Sequence, residues 1–201
     1  MSGLFIAFEG VDRSGKTTQL QMLAQRLGEK HEVVVTREPG GTPVAEAIRV
    51  LLLADDVDMT ARCEALLFAA ARADHVERTI RPALERGAIV LTDRFIDSSL
   101  AYQGVARGVG VEQVEAFNMW ATDGLVPDVT IMLDLPIGTS VMREGENDRM
   151  ENEGQLFQAR VRRGLMELAA RRPDRYTVID ASGPIEQVAD LVWAALPDQW
   201  R

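Results

Sequence analysis

Short apolar runs alternate along the chain with longer segments in which apolar residues recur every three or four positions. The short runs are rich in β-branched residues and predict five buried strands, at Leu4–Phe8, Glu32–Thr36, Ala88–Thr92, Val129–Leu133 and Tyr176–Ile179. The longer segments predict helices, at about Thr17–Glu29, Pro43–Leu53, Thr60–Arg86, Val111–Asp123, Gly154–Arg171 and Ile185–Ala195. This alternation predicts an α/β fold with a parallel sheet covered by helices on both faces, in which ligands bind beyond the carboxyl ends of the strands.

The domain organisation predicted from the sequence is simple. A length of 201 residues suits one domain, and neither an internal repeat nor a Ser, Pro or Gly-rich linker divides it. Residues 143–154 are densely charged and lack apolar periodicity, although helical patterns flank them. We therefore expect a single domain over 1–201 with a mobile lid at about 143–154, the alternative being an ordinary charged loop.

Composition excludes several classes of protein. No apolar run approaches the roughly 18 residues of a membrane span, and the first residues do not resemble a signal peptide, so we expect a cytoplasmic protein without a membrane partner. One cysteine, Cys63, and two histidines are too few for a zinc site. A net charge of −9 disfavours a nucleic-acid partner. Arginine supplies 20 of the 22 basic residues (22 − 2 lysines), which suits a small polyphosphate ligand or reflects genome composition.

The strongest motif is a phosphate-binding loop. Residues 10–17, Gly-Val-Asp-Arg-Ser-Gly-Lys-Thr, match the pattern G-x-x-x-x-G-K-[ST], follow an apolar strand and open a helix. Glycines allow backbone N–H groups to surround a phosphate, and the following helix directs its positive end towards the anion. We expect Lys16 to bridge the β- and γ-phosphates of a nucleoside triphosphate, and the hydroxyl of Thr17 to bind Mg²⁺.

Other residues indicate what the nucleotide is used for. A guanine-binding N-K-x-D sequence is missing, and the third strand ends at Asp93, which is followed by Arg94 rather than by an acidic general base. Hydrolysis is therefore disfavoured, and a cation beside an Mg²⁺-organising carboxylate suits a second phosphate-bearing substrate near the γ-phosphate. The alternative is an Asp-Arg pair exposed on the surface.

Three further blocks make the chain similar to the thymidylate kinase family. They are Thr36-Arg37-Glu38-Pro39-Gly40-Gly41-Thr42, residues 93–104 (Asp-Arg-Phe-Ile-Asp-Ser-Ser-Leu-Ala-Tyr-Gln-Gly) and Asp148-Arg149-Met150-Glu151. The resemblance implies a three-layer P-loop kinase fold with a five-stranded parallel sheet and a short lid. It also implies ATP-dependent conversion of dTMP to dTDP by direct in-line transfer, with Mg²⁺ as cofactor and a homodimeric assembly.

The resemblance also assigns roles to individual residues. The ATP site comprises Gly10, Val11, Asp12, Arg13, Ser14, Gly15, Lys16, Thr17 and Thr18, and the metal site comprises Thr17 and Asp93. The dTMP site comprises Asp12, Glu38, Arg49, Phe68, Arg72, Arg94, Ser98, Ser99, Tyr102 and Gln103. The residues expected to act in catalysis are Arg13, Lys16, Asp93, Arg94 and Arg149.

Within that dTMP site, Arg49 and Arg94 resemble the pair that grips the acceptor phosphate, and Glu38 could orient Arg94 or a water molecule. Phe68 and Arg72, spaced i, i+4, resemble the pair that stacks on thymine and donates to its O4, which would reject cytosine. The same helix spacing also fits a core phenylalanine and a rim charge. Hydrogen bonds to the base edge are expected from Ser98, Ser99 and Gln103, whereas Tyr102 resembles a ring that disfavours a ribose 2′-hydroxyl. Asp12 resembles a carboxylate near the acceptor's 3′-hydroxyl or the metal-bound water.

The catalytic arginine is the open question. Some family members carry it in the phosphate loop, where Arg13 stands, and others deliver arginines from the lid, where Arg143 and Arg149 stand; Arg13 is favoured as the bridge between the two nucleotides. Leu165 departs from the aromatic residue that relatives often carry. Two rival hypotheses remain: a kinase for another nucleoside monophosphate, and a nucleotide-dependent switch or binding module.

Overall fold

The computed structural model describes residues 3–141, 150 and 153–201. Its strands are β1 (Leu4–Glu9), β2 (Val33–Arg37), β3 (Ile89–Asp93), β4 (Val129–Asp134) and β5 (Tyr176–Asp180). Within the described residues they form a five-stranded sheet in the order β2-β3-β1-β4-β5, and each neighbouring pair is parallel. The predicted fold class is confirmed.

Helices cover the sheet. They are α1 (Lys16–Leu27), α2 (Pro43–Leu53), α3 (Ala61–His75), α4 (Arg81–Glu85), α5 (Ile96–Ser99), α6 (Val111–Ala121), α7 (Ile137–Val141), α8 (Gln155–Arg171) and α9 (Ile185–Ala194). Two π-helical segments continue α3 and α5, at Val76–Ile80 and Leu100–Ala106, and Asp198–Trp200 forms a 3₁₀ turn.

The core lies on both faces of the sheet because alternate side chains of the central strand point in opposite directions. On one face, Ile6 and Phe8 belong to a buried cluster with Leu20 of α1 and Val188 of α9. On the other face, the neighbouring Phe5 packs in a second buried cluster. A sheet buried in this way fixes the carboxyl ends of its strands along one rigid edge, where the phosphate loop begins.

The observed strands extend further than the apolar pattern predicted. Each continues by one residue, to Glu9, Arg37, Asp93, Asp134 or Asp180. Parallel pairing continues to these positions, since Phe8 pairs with Asp93 and Asp134 with Asp180. Apolar periodicity cannot detect them because their side chains are charged, although their backbones belong to the ladder.

The long helix predicted at Thr60–Arg86 is observed as α3, a π-helical segment and α4 in unbroken succession. The π-helical segment ends at Ile80, two residues before Pro82, which has no N–H to donate back along the helix. The helix α5 and its π-helical continuation, which carry part of the 93–104 block, were not predicted from apolar spacing.

Most of the predicted lid, residues 143–154, lies outside the described residues, which include only Met150, Glu153 and Gly154 of it. The candidate arginines Arg143 and Arg149 are therefore not placed. In the part of the chain that is described, no helix combines the length and the apolar character needed to cross a membrane.

Candidate active site

The phosphate loop joins β1 to α1 through a backbone that favours glycine at two positions. Gly10 has φ 147° and Gly15 has φ 94°, and a Cβ at Gly10 would lie 2.5 Å from the carbonyl oxygen of Leu133. Arg13 also has a positive φ, 61°, which is unusual for a residue with a side chain. The loop conformation thus holds Arg13 against its own backbone preference, as is common at functional sites.

Lys16 begins α1 and is buried over the loop. Its Nζ donates to the carbonyl oxygens of Gly10, at 3.2 Å, and Val11, at 2.9 Å. Burial, reinforced by the nearby Arg94, lowers the pKa of Lys16 to about 8. The hydroxyl oxygen of Ser14 is buried without a partner among the described residues. An unpaired polar atom beside a desolvated cation is the environment expected of a site that an anion completes.

Thr17 and Asp93 meet where α1 and β3 converge. The Thr17 hydroxyl donates to Oδ2 of Asp93 at 2.7 Å. The described residues contain no group of three or more His, Cys, Asp or Glu side chains that could enclose a metal ion. Two adjacent oxygen ligands fit Mg²⁺, which usually takes only one or two protein ligands and completes its shell with water and phosphate.

A cleft opens beside the phosphate loop and shares Asp12 with it. All ten residues predicted to bind dTMP line this cleft, together with Pro39, Leu53 and Met150. They come from the phosphate loop, the segment after β2, α2, α3 and the 93–104 block, which are far apart in the sequence. The structure therefore brings the predicted substrate residues together.

Arg94 lines the cleft and contacts the phosphate loop. Its backbone is in the left-handed conformation, with φ 71°. It forms an ion pair with Asp12 and donates to Gly10 O and to Ser98 Oγ, both at 3.0 Å. Although burial alone would raise it, the guanidinium of Arg94 holds the pKa of Asp12 below its ordinary value. Asp12 also accepts hydrogen bonds from Tyr102, at 3.0 Å, and from Gln158 of α8, at 2.9 Å.

Glu9 supports the backbone around Arg94 and was not predicted. It is fully buried, and its carboxylate accepts from the N–H groups of Phe95, at 2.8 Å, and Ser98, at 3.1 Å, and from the Ser98 hydroxyl at 2.5 Å. Burial, with the nearby charge of Asp97, raises the pKa of Glu9 to about 7. The signal for its role is its place at the end of β1, directly before the phosphate loop.

Arg72 is buried, and its N–H groups are engaged by the protein. It pairs with Glu38 at 2.7 Å, and it donates to Ser99 Oγ, Phe95 O and Asn118 Oδ1. These contacts account for the five N–H groups of a guanidinium. Donation by Arg72 to thymine O4 therefore stays a prediction, for which an N–H group would have to be shared or released.

Glu38 contacts Arg72 and the buried His75, at 3.0 Å, rather than Arg94. The expectation that it orients Arg94 is therefore wrong in this structure, whereas the alternative that it orients a water molecule stays a prediction. The two partners of Glu38 lie 34 and 37 positions away, on α3, so no local pattern in the sequence could indicate either contact. Glu38 instead fixes the segment after β2 against α3, which forms one wall of the cleft.

A second group that was not predicted lies behind Gln103, which itself lines the cleft. Glu64 of α3 is buried and accepts from Nε2 of Gln103 at 2.9 Å and from Nε and Nη2 of Arg107, each at 3.2 Å. Arg107 also forms an ion pair with Glu153. Elsewhere, Arg49 donates to the carbonyl oxygen of Pro39 at 2.9 Å while it lines the cleft.

Comparison with known proteins places these features in a family. A family model described as thymidylate kinase matches residues 8–192. A thymidylate kinase of Bifidobacterium longum (strain DJO10A) is 53% identical over 98% of this chain and 96% of its own length, and one of Desulforudis audaxviator is 50% identical over 96% and 90%. The crystal structure of thymidylate kinase from Ehrlichia chaffeensis superposes with a TM-score of 0.80, is 37% identical, and covers 96% of this chain and 98% of its own. The chain belongs to the thymidylate kinase family.

Proposed function

We propose that the enzyme transfers the γ-phosphoryl group of ATP to dTMP, with ATP on the phosphate loop and dTMP in the adjacent cleft. The observation that carries this proposal is that the loop and the cleft share Asp12 and converge on Arg94. A second anion bound in that cleft would lie next to the donor phosphates. Family membership over nearly the whole chain supports the same conclusion.

This reaction requires positioning and charge neutralisation rather than a strong general base, because the acceptor phosphate oxygen is already anionic. Lys16 and the loop N–H groups hold the donor phosphates. Arg49 and Arg94, which both line the cleft, hold the acceptor phosphate in line with them. Arg13 neutralises charge between the two nucleotides, and Asp12 keeps Arg94 in place.

The two oxygen ligands of Thr17 and Asp93 would suit Mg²⁺. Thr17 would bind it through its hydroxyl and Asp93 through ordered water, and the ion would supply further neutralisation of the donor phosphates. Arg149, which lies outside the described residues, is proposed to close over the donor.

We further propose that the active form is a homodimer. Large apolar side chains are exposed on α3 and on the two helices that pack against it, α2 and α6. They are Val50 on α2, Leu66 on α3 and Trp120 on α6, and Trp120 is 85% exposed. Exposed apolar area of this kind is typical of a protein interface.

The test of the reaction is a coupled assay of ADP release with Mg²⁺ and ATP. The acceptors are dTMP, dUMP, dCMP and dGMP, and one reaction has no acceptor. We expect rapid ADP release only with dTMP or, more slowly, a close analogue. A clear preference for another monophosphate would identify a different kinase, and slow release that ignores the acceptor would identify a switch or binding module.

A further inference from the structure

Gln103 lines the cleft with a side chain that can read either pyrimidine. Thymine presents an acceptor, O4, beside a donor, N3–H, whereas cytosine presents a donor, its amine, beside an acceptor, N3. A carboxamide also carries a donor beside an acceptor, and rotating it by half a turn exchanges the two. Gln103 therefore complements thymine in one orientation and cytosine in the other. Any selectivity that Gln103 contributes must therefore come from whatever fixes the orientation of its amide.

Glu64 is placed to fix it. An ionised carboxylate only accepts hydrogen bonds, so the amide nitrogen of Gln103 must face it, as the contact of 2.9 Å shows. Arg107 orients that carboxylate by donating to both of its oxygens, each at 3.2 Å, and the guanidinium of Arg107 packs over the ring of Phe157. Glu64 and Gln103 are each 1% exposed, so their contact is shielded from bulk solvent.

We infer that Glu64 is a positioning residue that sets the pyrimidine specificity of the enzyme by locking the Gln103 amide. With one N–H held by Glu64, Gln103 keeps its carbonyl oxygen and its other N–H for the base, the pattern that complements N3–H and O4 of thymine. Cytosine would place a donor against a donor and an acceptor against an acceptor. This inference rests on the proposed function, since it assumes that the cleft takes the base of dTMP.

The experiment compares kcat/KM for dTMP and dCMP in Glu64→Gln and Glu64→Asp. Glu64→Gln keeps the volume of the side chain but can present an N–H to Gln103, which frees the amide to turn. Glu64→Asp is shorter but still only accepts. We expect Glu64→Gln to lower the ratio of kcat/KM for dTMP to kcat/KM for dCMP by roughly 10-fold to 100-fold, the usual discrimination of a paired base contact. Glu64→Asp should lower this ratio less. A side chain that merely fills space would give the opposite order, which would overturn the inference.

Two further variants complete the design. Glu153→Gln removes the other carboxylate partner of Arg107 without touching Gln103, so it should keep the wild-type ratio; a narrowed ratio there would count against the inference. Gln103→Met keeps the packing but removes the amide, so it should narrow the ratio even if Glu64→Gln does not fold by circular dichroism. An unchanged ratio in Gln103→Met would overturn the inference. Wild-type turnover of dTMP tests the proposed function separately, because it does not depend on any ratio.

Discussion

At the scale of single residues, the site combines groups held in unfavourable states. Arg13 and Arg94 both have positive φ, and Lys16 and Glu9 are buried charged groups. An anionic ligand would stabilise Lys16, whereas Glu9 is stabilised by the hydrogen bonds that it accepts from Phe95 and Ser98. Such strain is tolerated where the surrounding fold over-determines it, and here the buried sheet edge provides that support.

The first prediction concerns Arg13. We expect Arg13→Gly to lower kcat by roughly 10³-fold or more while KM for dTMP changes little, because an arginine that neutralises transferring charge acts mainly in the transition state. Glycine accepts the positive φ of 61°, so the loop is not strained further. Steady-state kinetics measure both constants. Arg26→Ala, an exposed arginine on α1, serves as the control. A change confined to KM would assign Arg13 to binding alone.

The second prediction concerns Glu9 and pH. Its pKa is raised to about 7 in the folded protein from 4.5, so between these values the folded state binds more protons than the unfolded state. The contribution of Glu9 to stability therefore falls as pH rises through this window, by up to about 3 kcal/mol. The charged groups that face Glu9 are Asp97, Arg94, Lys16 and Arg175.

Urea unfolding at intervals from pH 5 to pH 8 measures this effect. Glu9→Gln cannot titrate, so its free energy of unfolding should decline less steeply over the same range than that of the wild type. Parallel curves for the two proteins would show that Glu9 titrates equally in the folded and unfolded states.

Residue-level features were predictable where the signal is local. The phosphate loop and the 93–104 block are short patterns, and their residues reach the same cleft. Glu9 and Glu64 were missed as site residues because their partners lie 86 to 89 and 39 to 43 positions away. A buried carboxylate in a long-range hydrogen-bond network leaves no periodic trace in the sequence.

At the scale of elements, α8 and the π-helical segment Leu100–Ala106 form the wall that carries Tyr102 and Gln103. They pack closely because residue 164 is glycine. A Cβ there would lie 3.1 Å from a methyl carbon of Val105 and 3.4 Å from Cα of Ala101. The apolar pattern predicted α8 well but gave no account of this contact, since a small residue on a helix face has no period of its own.

The third prediction follows from that contact. Gly164→Val should lower the free energy of unfolding by about 1–3 kcal/mol, because the added carbons must push the two elements apart. Chemical denaturation measures the change. Ala170→Val, at an exposed position of the same helix, introduces valine without crowding and should cost much less. Valine has a better helix propensity than glycine but a worse one than alanine, so propensity alone would stabilise Gly164→Val and destabilise Ala170→Val. A loss in Gly164→Val no larger than the loss in Ala170→Val would therefore contradict the packing argument.

At the scale of the whole molecule, the alternation of strands and helices was enough to predict the sheet, because a parallel sheet buried on both faces leaves few other arrangements. The order β2-β3-β1-β4-β5 was not deduced from that alternation. The same pattern cannot distinguish an apolar helix face that packs in the core from one that packs against a second chain. Trp120, on the apolar helix α6, is such a case, and the structure places it on the surface of the chain.

The last prediction is that the enzyme forms a homodimer through the exposed apolar side chains of α2, α3 and α6, among them Trp120. Light scattering coupled to size exclusion should give about twice the chain mass of 22.2 kDa. Trp120→Glu should shift the population towards the monomer, because a charge buried at an apolar interface costs several kcal/mol unless it is paired. Ile185→Glu changes an apolar residue, 53% exposed, on α9, which packs against α1 and β5 rather than α2, α3 or α6, and should leave the dimer intact. A monomeric wild type at micromolar concentration would contradict the proposed assembly, while dissociation by Ile185→Glu alone would move the interface to α9.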